Sequence, residues 1–322
     1  MAKQTLTKDS PWLLVVLAAI VAVGPLSIDM YLPAMPGMVD WFGSGTSQVQ
    51  LTISSYLVGF AFFHLVCGPL ADRFGRKPVL LGGLSLYFIA GVSCAQAETI
   101  EGLIFARFLQ GVGACVGPTL GRAIARDLFP AKDAARALAY IAMIMALAPA
   151  AAPIAGGLLL QIYQWPAIFY VLAAYSLICM FLIITRLPES LPQRQSLHPL
   201  KIGRNYWRLL RDSHYVATVV SSSLLYAGII TFLSSSGFIL IDMMAVPTDV
   251  FGLFFLPVVI GYITGNGLST RLSSSRSSEQ VMWIGAQLAV AAVATMLIAT
   301  EFWFTPASVV LPMAGYSIAC GL

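Results

Sequence analysis

Two side chains lie where apolar sequence should exclude them. Asp29 falls in SIDMYLPAMP, residues 27–36, at the end of the first long apolar run; Arg107 falls in LIFARFLQGVGA, residues 103–114, inside another. Charges within hydrocarbon are costly and mark proton relays, ion paths or internal pairs. A carboxyl buried there is a candidate proton carrier. It can equally be an interfacial charge that ends the helix, with Pro33 and Pro36 following it. Arg107 is the one cation within a span. It sits about eight residues, or roughly 12 Å, from the outer end of its helix. A lone arginine in lipid costs about 2.5 kcal/mol or more, so it should face the bundle and find a partner. Asp29 belongs to the same outer half, and an Asp29–Arg107 pair titrating as one unit is the first expectation. An anchor bonded to backbone carbonyls is the second.

Residues for other chemistry are few. His64, in FAFFHLVCGP, could titrate near physiological pH, and Asp242 reads as a solvated charge at an outer helix end. No GxSxG, no HExxH and no second aspartate within a span accompany them, which argues against an intramembrane enzyme. GVGACVG lies in a span with no preceding strand, so it is no nucleotide loop. Cys67, Cys94, Cys115, Cys179 and Cys320 all lie in apolar runs without metal or disulfide spacing.

The elements that must hold these residues follow from composition. Of 322 residues, 58% are hydrophobic and 10% charged, far below the charge of a soluble domain. The apolar runs of about 20 residues match a bilayer core of about 30 Å. They are continuous rather than alternating, which excludes a β-barrel. Spans are predicted at 12–35, 48–70, 78–97, 100–121, 137–160, 166–186, 216–240, 250–270, 280–299 and from about 306 onward. MAKQTLTKDSPWLL has a basic start, but the apolar run continues past about 15 residues without a cleavage site, so it reads as a retained span.

Of the 18 Lys and Arg residues, 17 fall in loops on the N-terminal side: Lys3 and Lys8; Arg73, Arg76 and Lys77; Arg122, Arg126, Lys132 and Arg136; Arg186 through Arg211; Arg271 and Arg276. The opposite loops carry Asp40, Glu98, Glu101, Asp242, Asp249 and Glu301. The positive-inside rule puts the N-terminus in the cytoplasm. The polar segment 187–215, with Pro188, Pro192, Pro199 and five Lys and Arg residues, reads as a cytoplasmic linker between halves 1–186 and 216–322. Its cations could touch anionic lipid or simply hold the loop inside. LADRFGR (70–76) and LSTRLSSSR (268–276) echo one another at an offset of 198 residues, as repeated bundles do. Gly113, Gly117 and Gly121, and likewise Gly261 and Gly265, recur every four residues as close-packing faces.

Four strings carry a resemblance. GPLADRFGRKP, residues 68–78, resembles the signature loop of the major facilitator superfamily. SIDMYLPAMP resembles the first span of its Bcr/CflA drug-resistance exporters. LIFARFLQGVGA is similar to the fourth-span motif, and APAAAPIAGG, residues 148–157, to the fifth-span motif of exporters. The resemblance implies an all-α fold of two six-helix halves, of which nine complete spans and part of a tenth are present. It implies that Asp29 couples drug to proton; that Arg107 shares in the coupling is the expectation drawn above from their common outer half. Gly68, Asp72, Arg73, Gly75, Arg76 and Lys77 would form the gating loop, and Pro149, Pro153, Gly156 and Gly157 would serve the conformational cycle. Relatives of this kind have twelve spans, so the chain is expected to be a fragment or a truncated product. Val21 stands where some such exporters carry a second acid, which suits neutral drugs.

The expected function is proton-coupled export of small lipophilic drugs across the cytoplasmic membrane by a monomer, with no cofactor, metal or nucleic-acid partner. Export of a specific metabolite, a nucleoside or sugar, is the alternative. A drug cavity should be apolar and adaptable; its candidates are Tyr31, Tyr56, Phe60, Met143, Tyr226, Phe232 and Tyr262. The serine runs 221–223 and 234–236 could bond a neutral ligand or their own helix.

Overall fold

The computed structural model describes residues 11–191, 193 and 199–322, and the regular elements among them are all helical. Lys3, Lys8, Pro192 and Arg194 lie outside the described residues, as do the side chains of Lys132, Arg136 and Lys201. A chain in lipid must satisfy its backbone internally, and helices do so within each segment. Nine described helices are long and apolar enough to cross a membrane: Trp12–Phe42, Thr46–Phe74, Arg76–Ala95, Ile100–Leu128, Ala137–Ile162, Pro166–Arg186, Ser213–Met243, Phe251–Leu272 and Glu279–Phe302. Pro306–Gly321 is a shorter apolar helix. The first and fourth spans overrun their predicted ends at 35 and 121, reaching Phe42 and Leu128, because each continues past a break as a second helix.

The chain divides into two compact units, Met1–Leu197 and His198–Leu322. The first unit contains α1 (Pro11–Asp29), α2 (Met35–Phe42), α3 (Thr46–Phe74), α4 (Arg76–Ala95), α5 (Ile100–Ala114), α6 (Val116–Leu128), α7 (Ala131–Ile162) and α8 (Pro166–Arg186). α1 packs on α6, α7 and α8, while α5 packs between α3 and α4. Both breaks have local causes. Pro33 and Pro36 lack the N–H that would continue α1, and a 3₁₀ turn, Leu32–Ala34, joins it to α2. Pro118 cannot donate to the Ala114 carbonyl, so α5 stops there and the chain steps through Cys115 into α6. That step divides the glycine face: Gly113 lies against the backbone of Gly83 and Tyr87 on α4, while Gly117 lies against the Ile20 carbonyl on α1.

The second unit contains α9 (Pro199–Arg211), α10 (Ser213–Gly237), a π-helical turn at Phe238–Met243, a 3₁₀ turn at Phe251–Phe255, α11 (Leu256–Leu272), α12 (Ser278–Phe302) and α13 (Pro306–Gly321). α13 packs on α11 and α12, and Gly261 and Gly265 meet the carbonyls of Ala314 and Ile318 on its face. Two expectations are corrected here. The segment read as a polar loop holds the helix α9; its apolar residues recur at helical spacing between the arginines, a pattern hidden by its polar composition. Asp242 does not lie beyond helix seven but within the π-helical turn that prolongs it, where it is exposed.

Candidate functional site

The end of α1 builds the site. Past Ile28 the helix tightens: the Tyr31 amide donates to Ile28 O at 3.3 Å, one residue short of the α-helical acceptor. The Ser27 carbonyl thereby loses its helical donor. Asp29 sits at this break with only 3% of its surface exposed. Among the described residues, no hydrogen bond or ion pair reaches its carboxyl group.

Arg107 of α5 is fully buried. Its Nη1 donates to the released Ser27 carbonyl at 3.2 Å and to Gln110 Oε1 at 2.7 Å. Three rings enclose the guanidinium, with its carbon 4.5 Å from the Tyr56 centroid, 4.8 Å from Tyr31 and 5.7 Å from Phe169. Cation–π contacts of this kind contribute about 2 kcal/mol or more when desolvated. The rings are themselves fixed. Tyr31 OH bonds Thr52 Oγ1 at 2.8 Å, Tyr56 OH donates to the Gly24 carbonyl at 3.2 Å, and Tyr31 lies 5.5 Å from Phe169. The expected Asp29–Arg107 ion pair is therefore absent among the described residues. A backbone carbonyl, an amide oxygen and three aromatic faces hold the cation instead, as the anchor expectation had it. Nε and Nη2 of Arg107 and Nε2 of Gln110 are buried without a partner among the described residues. Arg107 thus keeps donor capacity that a carboxylate could accept bidentately.

The motif GPLADRFGRKP forms the turn between α3 and α4. Gly75, at φ 106°, adopts a conformation that L side chains rarely reach and reverses the chain there. Arg76 pairs with Asp72 at 2.7 Å and with Asp127 at 3.1 Å. Glu189, following α8, caps α4: its Oε1 accepts from the Arg76 amide at 2.9 Å and its Oε2 from the Lys77 amide at 3.2 Å. Lys77 Nζ in turn donates to the Ile184 and Leu187 carbonyls at 3.1 and 2.6 Å, capping α8. Each helix dipole thus meets the complementary charge. Asp72, which could have paired or capped, pairs. Arg73 lies over the Phe74 ring at 5.3 Å, and Gly68 is half-buried.

The other predicted residues separate. α7 is assigned as one helix through Pro149 and Pro153. Pro153, Gly156 and Gly157 are buried, Pro149 is half-buried, and Gly156 lies against the Met30 carbonyl beside the α1 break. Of the cavity candidates, Tyr31 and Tyr56 enclose Arg107, and Phe60 is 6.3 Å from Tyr56. In the second unit Phe232 is buried against Phe255 at 5.9 Å, while Tyr226 and Tyr262 are exposed. Met143 is also exposed. His64 is exposed, stacked on Phe60 at 5.7 Å and 3.0 Å from Thr119 Oγ1. Ser234 and Ser236 bond their own helix backbone.

Sequence reasoning missed Gln110, Phe169, Asp127 and Glu189. Gln110 lies three residues after Arg107 on the same helix face, a spacing that could have revealed it. The others approach through tertiary packing alone.

A bundle of membrane-spanning helices, with a caged guanidinium and a buried acid at a helix break, defines a membrane transporter rather than an enzyme. Comparison with known proteins agrees: residues 17–322 match the Major Facilitator Superfamily, and the chain belongs to it. It is 31% identical over 311 residues to an uncharacterized MFS-type transporter of Bacillus subtilis, YdgK, covering 95% of this chain and 77% of that protein. It is 28% identical to a bicyclomycin resistance protein homolog of Haemophilus influenzae, covering 87% of this chain and 72% of the relative. Identity to the multidrug transporter MdfA of Shigella boydii is also 28%, covering 87% and 70%. These relatives support the Bcr/CflA-type subgroup read from the sequence. Among solved structures, a D-xylose-proton symporter shares the fold with a TM-score of 0.74 at 16% identity, covering 97% of this chain and 80% of the other. The nucleoside transporter NupG (D323A mutant) does so with 0.76 at 16% identity, covering 96% and 79%.

Proposed function

We propose that this multi-pass transporter exports small lipophilic drugs in exchange for protons by alternating access. The observation that carries the reading is the burial of Asp29 at the α1 break, without a partner among the described residues, while Arg107 keeps buried donors open. A neutral, protonated Asp29 suits that environment. Once deprotonated, the carboxylate needs donors, and Nε and Nη2 of Arg107 are buried donors left open among the described residues. Proton release would then pull the α1 break toward α5, and rebinding would free it. Gly156, pressed on the Met30 carbonyl, would carry that movement to α7 and the segment with Pro149 and Pro153. The loop of Gly68, Asp72, Arg73, Gly75, Arg76 and Lys77, locked by Glu189 and Asp127, would gate at the cytoplasmic face. The loop charges support a cytoplasmic N-terminus in the inner membrane, and the protein is proposed to work as a monomer. The relatives named for bicyclomycin resistance and multidrug transport support the substrate class. Tyr31, Tyr56, Phe60, Met143, Tyr226, Phe232 and Tyr262 remain the proposed cavity residues.

Everted membrane vesicles test this. Accumulation of several unrelated drugs under an acid-inside gradient, abolished by an uncoupler and by Asp29→Asn, is the expected result. Uncoupler-sensitive accumulation that persists in Asp29→Asn would remove Asp29 from the coupling. Uptake of one metabolite alone would replace drugs as the substrate.

A further inference from the structure

We propose that α9 is an interfacial helix that docks on anionic phospholipid where the chain enters the Ser213–Met243 span. Three observations carry this. First, the helix divides by charge: Arg204, Arg208 and Arg211 recur at intervals that place them on one face, and Tyr206, Leu209 and Leu210 at intervals that place them on the opposite face. Within Pro199–Arg211 there are cations and no acidic residue.

Second, large apolar side chains of this helix are exposed. Trp207 is 58% and Leu210 65% exposed. The Arg211 guanidinium lies 5.1 Å from the Trp207 ring centre, so the indole marks the seam between the faces. Tyrosine and tryptophan at such a seam suit the headgroup level of a bilayer.

Third, the C-terminal end of the helix is tethered at the start of a span. Asp212 breaks the helical path (φ −81°, ψ 105°) and caps α10, accepting from the amides of His214 and Tyr215 at 3.0 and 3.2 Å. The span begins at the next residue. A helix tethered there, with one basic and one apolar face, satisfies both by lying in the interface: arginines among headgroup phosphates, leucines and aromatics below them. A nucleic acid or acidic protein would engage the arginines and leave Trp207 and Leu210 in water, so the lipid surface is the better fit.

The test uses the whole chain in vesicles of phosphatidylcholine, with and without phosphatidylglycerol. An environment-sensitive fluorophore is attached to Leu210→Cys or, as the polar-face control, to Arg204→Cys; the parent chain labelled identically gives the native-cysteine background. The expected result is a blue-shifted emission at position 210 but not 204 with phosphatidylglycerol present. The shift should fall back in 1 M salt, which shortens the screening length to about 3 Å. It should also fall back when Arg208→Gln and Arg211→Gln are added. Emission at 210 that is the same in both lipids and indifferent to salt and arginines overturns the proposal, whether it reports water or a protein contact.

Discussion

The two units bury different chemistry. In the first, the buried polar set includes Asp29, Arg107 and Gln110 as well as Thr52 and Ser176; in the second, the described residues bury hydroxyls, those of Ser236, Ser308, Ser317 and Tyr316, and no ionised side chain. Ionised or ionisable groups inside a membrane are expensive and persist where they work. Hydroxyls are cheap, because they can return a hydrogen bond to their own helix, as Ser236 does to Leu233 O at 2.7 Å. The proposed proton chemistry at Asp29 draws on this asymmetry, which sets ionisable groups in the core of the first unit and hydroxyls in that of the second. Even within the first unit, the charged clusters differ. Arg107 is sealed among rings, whereas Arg76, Asp72, Asp127 and Glu189 pair at a partly exposed turn, where salt screens them.

Five substitutions can break or sharpen this comparison. The largest effect belongs to Asp29→Asn: proton-driven transport falls to background while membrane insertion, followed by fluorescence size exclusion, is unchanged. Arg107→Lys comes next. An ammonium cannot reproduce the guanidinium's fork of donors, and one lost charge-assisted hydrogen bond, about 1.5 kcal/mol, corresponds to roughly tenfold slower transport in vesicle assays. Gly156→Ala places a Cβ against the Met30 carbonyl; overpacking of this kind costs about 1–3 kcal/mol. It should lower the detergent Tm by several degrees and slow transport with it.

Glu189→Gln removes the charge facing the α4 N-terminus, an effect of about 0.3–1 kcal/mol. A small fall in Tm at low salt that vanishes at high salt is expected. Smallest is Ser236→Ala, under about 0.5 kcal/mol with coupling intact. A loss of proton coupling from this variant would dissolve the contrast between the units.

The spans were legible because each is a long apolar run, and the loop charges gave their order. Asp29 and Arg107 were legible because charge within such a run is conspicuous. What held Arg107 was not. The cage needs Phe169, sixty-two positions away in sequence, and a carbonyl released by helix tightening at Tyr31. No periodicity records either, so an ion pair was the simpler expectation. Glu189 reads as one acid in a basic segment until α8 brings it to the amides of Arg76 and Lys77. α9 was overlooked for the opposite reason: its polar content masked a regular helical spacing.

The central claim is that Asp29 carries the exchanged proton. Its most direct measurement is substrate-triggered proton release from the purified transporter in weakly buffered detergent, wild type against Asp29→Asn. The account predicts proton release on drug addition from the wild type and none from the variant, with both still binding drug. Equal release from both would contradict it and move the coupling site elsewhere.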